Sequence, residues 1–509
     1  MRALVSVSDK RGLVEFVQGL QDLGWEIIAT GGTQKLLDSK GIKTIGISEV
    51  TGFPEICDGR VKTLHPKVHG GILGRRDIPE HMQTLKENGI QTIELVCVNL
   101  YPFKQTIAKE DVTMEDAIEN IDIGGPSMVR SAAKNWKDVT IVCDPSDYDK
   151  VLSEIRENGF TSDDTRLKLS AKAYTHTAEY DMMIATYMRR QAGLSEKLFL
   201  EYDIKQGLRY GENPHQGANF YASLESAPFS LAFGEQLQGK ELSYNNIQDA
   251  NAALNVVRDF DEPFCVALKH MNPCGAAVGK TIEEAWQAAY EADKVSIYGG
   301  IVAVNRELTA EVALGMKPIF LEIVIAPSFT PEALEILSAK KNLRVMKVDM
   351  TKSAAPVPQY ISVNGGMLAQ QLDTQTEAIT PEMCVTSVKP TAGQISDLDF
   401  GWKIVKHIKS NAIAVVRDGH TIGVGAGQTN RVGSAQIALE EAKAAGFTEG
   451  LVLASDGFLP FGDTVELAAG YGVTAIVQPG GSIRDEESIQ KADELGITML
   501  FTGVRHFKH

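Results

Sequence analysis

Lys269 and His270 stand side by side at the end of an apolar run, Phe264 to Leu268, that reads as a buried strand. They open the stretch Lys269 to Gly275, which contains Met271, Asn272, Pro273 and Cys274. A segment from Thr281 to Asp293 follows, with Ile282, Ala285, Trp286 and Ala289 on one helical face and Thr281 with Glu284 in a capping-box arrangement. A strand followed by a helix places the pair at a carboxyl sheet edge, where open α/β sheets bind ligands. A histidine there moves a proton near neutral pH, and an adjacent cation stabilises developing negative charge or donates a proton itself. Most Lys-His pairs lie on solvated surfaces, so the dipeptide takes its meaning from the rest of the chain.

Further stretches along the chain carry chemistry. Near the N-terminus, Ser8, Asp9 and Lys10 follow a strand, and Thr30, Gly31, Gly32 and Thr33 follow the next; each aims hydroxyls and N–H groups at a helix start, a recipe for holding phosphate. No G-x-G-x-x-G accompanies the first turn, so no dinucleotide is implied. Gly59 to Gly71 carries Arg60, Lys62, Thr63, His65, Lys67 and His69 without a clean period, as a ligand-embracing loop would. His65 and His69 have the spacing of zinc ligands on a helix, but Pro66 between them and the lack of a glutamate make metal a poor reading. Asp122 lies before the turn Gly124, Gly125, with Lys134 about three turns along the next helix, either a proton-transfer pair or a surface ion pair. The tail Arg505, His506, Phe507, Lys508, His509 either frays or closes over an anionic aromatic ligand.

The elements behind these residues are strand-loop-helix units. Ala3 to Val7, Trp25 to Ala29, Leu95 to Leu100 and Val139 to Cys143 read as strands of a doubly wound α/β domain that closes near residue 195, after a helical stretch from 160 to 193. A second unit opens with the polar Leu208 to Gln216 and runs through a helix from Asp249 to Arg258. Gly365 and Gly366 precede a strand-poor stretch up to about Pro390, taken as a subdomain boundary. The last third looks like a second copy, with Asp418 and Gly419 turning a hairpin.

At 509 residues the chain exceeds the ~250 to 300 at which one core stops growing. A net charge of −16 argues against nonspecific nucleic-acid binding. The six cysteines are scattered, with no metal-finger spacing, as suits reduced thiols in a cytoplasmic enzyme. No basic-then-apolar leader and no membrane-length apolar run is present, so a cytoplasmic location is expected.

Taken together, Val61 to Gly71, Asn99 to Phe103, Ile121 to Gly125, Arg209 to Gln216, Ser243 to Asn246 and Lys269 to Gly275 make the chain, from Ser6 to His509, resemble the bifunctional purine-biosynthesis family that joins phosphoribosylaminoimidazolecarboxamide formyltransferase to inosine monophosphate (IMP) cyclohydrolase. The resemblance implies residues 1–195 as a methylglyoxal-synthase-like domain with a doubly wound parallel sheet that closes the IMP ring. It implies residues 196–509 as a transformylase domain of two cytidine-deaminase-like α/β subdomains, about 196–380 and 381–509. It also implies formyl transfer from 10-formyltetrahydrofolate to the 5-amine of aminoimidazolecarboxamide ribonucleotide (AICAR), giving formyl-AICAR (FAICAR) and tetrahydrofolate, then ring closure to IMP. No tightly bound cofactor or metal is expected, and the small-molecule partners are AICAR, FAICAR, IMP and reduced folate. Family members work as homodimers with shared transformylase sites; no nucleic acid or membrane is implied.

Carried onto this sequence, the cyclohydrolase site falls on Lys62, Thr63, Tyr101, Asp122 and Lys134, with Ser6, Ser8, Lys10, Gly32 and Thr33 on the phosphate side and Arg60, Asn99, Gly124 and Gly125 around the substrate. The transformylase pair falls on Lys269 and His270, supported by Asn411. Arg209, Tyr210, Asn246 and Arg505 are expected on substrate, and Phe458, Pro460, Phe461 and His509 on folate. Some relatives carry alanine at Cys274 and aspartate at Glu322; neither change removes a charge or base, and Cys274 is not read as a nucleophile. Two other readings compete. A zinc deaminase needs H-x-E and a second cysteine three residues after Cys274, but position 277 is alanine and no H-x-E exists in the chain. A zinc-free nucleotide-binding or sensing protein of deaminase-like fold would have no use for Lys62, Tyr101, Asp122 and Lys134.

Overall fold

Short apolar runs such as Leu95–Val98 and Ile323–Ala326 are buried at every residue, which is what strands covered on both faces require. The computed structural model describes residues 1–353 and 357–509, and the chain divides into two units, Met1–Leu200 and Glu201–His509.

The first unit has five strands: β1 (Arg2–Ser6), β2 (Glu26–Ala29), β3 (Ile45–Gly46), β4 (Leu95–Val98) and β5 (Thr140–Val142). All pair in parallel, in the order β3-β2-β1-β4-β5. Its helices are α1 (Leu13–Asp22), α2 (Gly31–Ser39), α3 (Ile47–Thr51), α4 (Pro66–Leu73), α5 (Pro79–Glu87), α6 (Phe103–Ile107), α7 (Met114–Glu119), α8 (Gly124–Lys134), α9 (Tyr148–Asn158) and α10 (Asp163–Gln191). The strand order reverses between β1 and β4, so the loops after these two strands diverge and leave a crevice. The stretch expected as one ligand-embracing loop is half helix: Pro66 takes the first position of α4, where its missing N–H is harmless, and His65 Nδ1 accepts from Lys67 N at 3.1 Å.

The second unit begins with a ribbon, β6 (Tyr202–Leu208) and β7 (Ala218–Ser223), and an edge strand, β8 (Glu235–Gln238). Then come α11 (Tyr244–Val257), β9 (Phe264–Lys269), β10 (Asn272–Val278), α12 (Ile282–Ala292), β11 (Ile301–Val304), α13 (Ala310–Met316), β12 (Ile323–Ala326), α14 (Pro331–Ser338) and β13 (Arg344–Lys347). After a hairpin of β14 (Pro358–Val363) and β15 (Gly366–Gln371), the same succession returns: α15 (Ala392–Val405), β16 (Ile413–Arg417), β17 (His420–Gly425), α16 (Arg431–Ala444), β18 (Leu451–Ser455), α17 (Gly462–Gly470), β19 (Val473–Gln478), α18 (Asp485–Leu495) and β20 (Thr498–Phe501). One sheet spans both halves, in the order β20-β19-β18-β16-β17-β10-β9-β11-β12-β13-β8. The halves join where β10 meets β17 antiparallel at Ala277 and His420. The start of β10 therefore lies beside the end of β17.

The expected helix after the Lys-His stretch is α12, with Ile282, Ala285, Trp286 and Ala289 buried. Burying a tryptophan contributes roughly 3–5 kcal/mol to a core. Thr281 Oγ1 accepts from Glu284 N at 3.3 Å, but the Glu284 carboxylate returns to Lys280 N rather than to Thr281.

Two expectations are corrected. Lys269 and His270 do not lead from a strand into a helix; β9 turns straight back into β10 through His270 and Met271, with φ of 52° and 61°. That turn needs two left-handed residues, a conformation the sequence signals for hairpins reserve for Asn, Asp and Gly. Gly365 and Gly366 do not open a strand-poor stretch either, because they close the β14–β15 hairpin.

Candidate active sites

In the first unit, Ser6, Ser8, Lys10, Gly32, Thr33, Arg60, Lys62, Thr63, Asn99, Tyr101, Asp122, Gly124 and Gly125 all line one cavity of about 710 Å³. It occupies the crevice between the ends of β1, β2 and β4. The α2 N-terminus opens into it, and no side chain caps that helix, because the Thr30 hydroxyl pairs with Ser6 Oγ at 2.6 Å. Lys62 Nζ and Lys10 Nζ come within 3.9 and 4.0 Å of where a β-carbon would stand on Gly31 and Gly32. Free amides at a helix start with two ammonium groups beside them suit a phosphate.

Opposite lies Asp122. Its carboxylate accepts from Gly125 N at 2.8 Å, and its own N–H donates to the Tyr180 hydroxyl at 2.7 Å. Tyr180 in turn donates to Asn120 O at 3.2 Å, tying the loop to α10. Burial pushes the Asp122 carboxyl above the usual carboxylate range, opposed by the Gly125 hydrogen bond and the Lys62 charge. A carboxylate held this way accepts a proton more readily than one in water. Gly124 and Gly125 are required by space, since a β-carbon would meet Thr63 Oγ1 at 2.5 Å and Asp122 Oδ2 at 2.2 Å respectively.

Several expected residues serve the framework. Asn99 Oδ1 accepts from Ser8 N at 2.7 Å and Asp9 N at 2.9 Å, and so shapes the loop after β1. Thr33 bridges to both N and O of Val7 at 3.1 Å. The structure does not bring Lys134 to Asp122. Lys134 ends α8, is exposed, and lies outside the cavity lining, whereas Asp122 stands before the helix start; eleven residues of helix separate them by roughly 15 Å. Sequence reading missed Glu119, which pairs with Arg60 beside the cavity, and Tyr180. Neither has a local signature.

In the second unit, the ends of β9, β17, β18, β19 and β20 share one sheet edge, because β16 runs antiparallel to both β17 and β18. This edge gathers Lys269, His270, Asn411, Phe458, Pro460, Phe461, Arg505 and His509. Lys269 Nζ donates to Tyr298 O at 3.0 Å. Asn272 Nδ2 donates to His270 O at 3.0 Å, and its Oδ1 accepts from Lys409 N at 2.9 Å, joining the Lys-His turn to the segment before Asn411. Both ends of the Asn411 amide are engaged: Oδ1 accepts from Arg431 Nη2 at 2.7 Å and Nδ2 donates to Gln428 O at 2.9 Å. Arg431 also pairs with the fully buried Asp456. Phe458 and Phe461 stay exposed, with Arg484 stacked 5.1 Å from the Phe461 ring.

The tail does not fray. His506 is buried, with Nδ1 at 2.7 Å from Asp373 and Nε2 at 3.1 Å from Glu377, and Arg505 stacks on Phe507 at 4.7 Å. Arg209 and Tyr210, stacked at 5.7 Å, follow β6 in the ribbon. Asn245 donates to Glu212 O at 3.4 Å and Asp249 accepts from Met271 N at 2.7 Å, so positions i and i+4 of α11 bring the ribbon tip and the Lys-His turn to one helix face. Asn246 closes the α11 capping box with Ser243 and is buried there, a framework role. Burial pushes the Cys274 thiol up to about 12, far from thiolate chemistry at neutral pH.

A family model described as AICARFT/IMPCHase bienzyme matches residues 132–441, and one described as MGS-like domain matches residues 12–127. The chain is 58% identical over 512 residues to the bifunctional purine biosynthesis protein PurH of Bacillus cytotoxicus, covering 100% of this chain and 99% of the relative. PurH of Bacillus mycoides is 58% identical over 510 residues with the same coverage. A solved structure described as "Crystal structure of ForH" is 38% identical over 36% of this chain and 97% of its own, with a TM-score of 0.33.

Proposed function

The chain belongs to the AICARFT/IMPCHase bienzyme family, and from that premise we propose how its two units divide the work. The protein is a bifunctional formyltransferase and IMP cyclohydrolase of purine biosynthesis. Residues 1–195 close the ring, and residues 196–509 transfer the formyl group. The observation that carries this division is the cavity in which the uncapped α2 start, Lys10, Lys62 and the half-buried Asp122 meet.

For ring closure, the nucleotide phosphate sits on the α2 amides between Lys10 and Lys62. The carboxamide nitrogen of FAICAR attacks its formyl carbon and water leaves. Asp122 takes the proton from the attacking nitrogen, while Lys62 and Tyr101 polarise the formyl oxygen. Lys134 has no part in this unit's proton transfer, since it stands at the far end of α8.

For formyl transfer, the 5-amine of AICAR attacks the formyl carbon of 10-formyltetrahydrofolate. The new N–C bond forms, the bond to the folate nitrogen breaks, and FAICAR and tetrahydrofolate result. His270 removes the amine proton, and Lys269 stabilises the tetrahedral oxyanion or protonates the departing folate nitrogen. Arg209, Tyr210 and Arg505 hold the nucleotide, and Phe458, Pro460, Phe461 and His509 hold the folate. The enzyme acts as a cytoplasmic homodimer.

The test mixes the full-length protein with AICAR and 10-formyltetrahydrofolate and follows tetrahydrofolate and IMP together. The parent makes both, His270→Ala makes neither but cyclises added FAICAR, and Asp122→Asn makes tetrahydrofolate without IMP. Formyl transfer by His270→Ala, or cyclisation by Asp122→Asn, at parental rates refutes the corresponding assignment.

A further inference from the structure

His270 and Met271 hold φ of 52° and 61° in a turn with no glycine. Two consecutive left-handed residues with full side chains are costly, and such backbone persists only where its surroundings over-determine it. The internal repeat supplies a comparison. The same turn in the second half is Asp418 and Gly419, with φ of 51° and 72°, a pair that favours this hairpin.

One restraint is common to both copies. Asp249 and Asp397 each stand six positions beyond the capping residue of their helix, Ser243 of α11 and Thr391 of α15. Asp397 accepts from Asp418 N at 3.0 Å and Gly419 N at 2.7 Å, as Asp249 accepts from Met271 N at 2.7 Å. The aspartate is therefore a device of the fold.

The other restraint differs. In the second copy the turn's last carbonyl, Gly419 O, accepts from the strand amide Val278 N at 3.0 Å. In the first copy the corresponding Met271 O accepts from Lys508 Nζ at 3.3 Å, a side chain one residue from the end of the chain. Lys508 is itself held fast. Its Nζ also donates to His407 O at 2.7 Å, its N–H to Ser410 Oγ at 3.1 Å, and its carbonyl accepts from Ser410 N at 2.8 Å. Burial lowers the Lys508 ammonium to about 8, and both the ammonium and the neutral amine keep enough N–H groups to serve the two carbonyls.

We infer that Lys508 is a positioning residue for formyl transfer: from the docked C-terminal tail it holds the Met271 carbonyl, and with it the strained turn from which the His270 side chain projects. This rests on the reading of His270 as the base. Lys508 gives its Nζ to two backbone carbonyls, so its removal acts on the alignment of His270. A misplacement of about 1 Å lowers turnover by up to roughly 100-fold.

The experiment uses the full chain with Lys508→Met, Lys508→Arg, Asp397→Asn and His270→Ala, each assayed for formyl transfer and for cyclisation of added FAICAR. Lys508→Met is expected to lower kcat for formyl transfer by about 10- to 100-fold, with KM for both substrates within about threefold and cyclisation unchanged. Lys508→Arg, which keeps the donors, restores most of kcat. Asp397→Asn loosens the equivalent turn in the other copy and leaves kcat within about threefold. The inference is overturned by a Lys508→Met kcat within about threefold of the parent, by a rise in KM alone, or by an equal fall in Asp397→Asn. Should Lys508→Met fail to fold, Lys508→Ala, which also lacks a donor, replaces it under the same rule. His270→Ala separates the two levels: if it keeps formyl transfer, the assignment of the base fails; if it loses transfer while Lys508→Met keeps it, only the clamp fails.

Discussion

Replacing Gly125 by alanine adds one methyl group to the wall of the first unit's cavity. At the position that β-carbon must take, Asp122 Oδ2 is 2.2 Å away, Asp122 Cγ 2.8 Å and Leu100 Cδ2 2.9 Å. Ordinary contact begins at 3.4 Å, so the carboxylate must retreat by more than 1 Å. It cannot retreat and still keep the 2.8 Å bond from Gly125 N that now fixes it. At the second position of α8 the helix backbone tolerates alanine at least as well as glycine, alanine being preferred by about 1 kcal/mol in a helix interior. Stability and activity therefore separate. Cyclisation of FAICAR is expected to fall by roughly 100-fold, corresponding to about 2.7 kcal/mol of transition-state stabilisation, while the melting transition moves little. Formyl transfer by the same preparation serves as the internal reference. Cyclisation within threefold of the parent, with the protein folded, would falsify the placement of Asp122 at the reacting atoms.

Two further outcomes follow from the same structures. Asp122→Asn is expected to lower cyclisation by roughly 100- to 10,000-fold and yet raise the melting temperature at neutral pH. The sign comes from burial: a carboxyl whose folded value lies above its unfolded one contributes stability that is present at low pH and lost as pH rises through the folded value. A melting temperature for Asp122→Asn that falls below the parent's at pH 7, measured by calorimetry, contradicts that burial cost. Arg431→Leu leaves the fully buried Asp456 carboxylate without its cation and the Asn411 amide without its donor. It is expected to destabilise the second unit by about 3–5 kcal/mol in denaturant titrations and to lower formyl transfer, with cyclisation of added FAICAR retained; an unfolding midpoint equal to the parent's refutes it.

Much of the first site was legible in the chain. Apolar runs of four or five residues mark the strands, and the polar residues that follow them must fall at one sheet edge once the strands lie parallel. That is why Ser6, Lys10, Gly32, Lys62, Asn99 and Asp122, spread over more than a hundred residues, line one cavity. Residue type did not reveal which polar groups remain free. Asn99, Thr33 and Asn246 look like ligand contacts in sequence, but Asn99 and Thr33 are hydrogen-bonded to the loop after β1 and Asn246 closes the cap of its own helix. A free amide and a committed one have the same letter.

The sequence by itself determined the family, the α/β class and the two kinds of chemistry, because short-range periodicity and motif order carry that information. Only the tertiary structure decided that Lys134 is carried away from Asp122 along α8 and that His270 sits on a strained hairpin turn. The same holds for the side chain holding that turn, which lies 237 residues further along the chain. Such contacts depend on how distant loops close against one another, and no local pattern of residues encodes that distance.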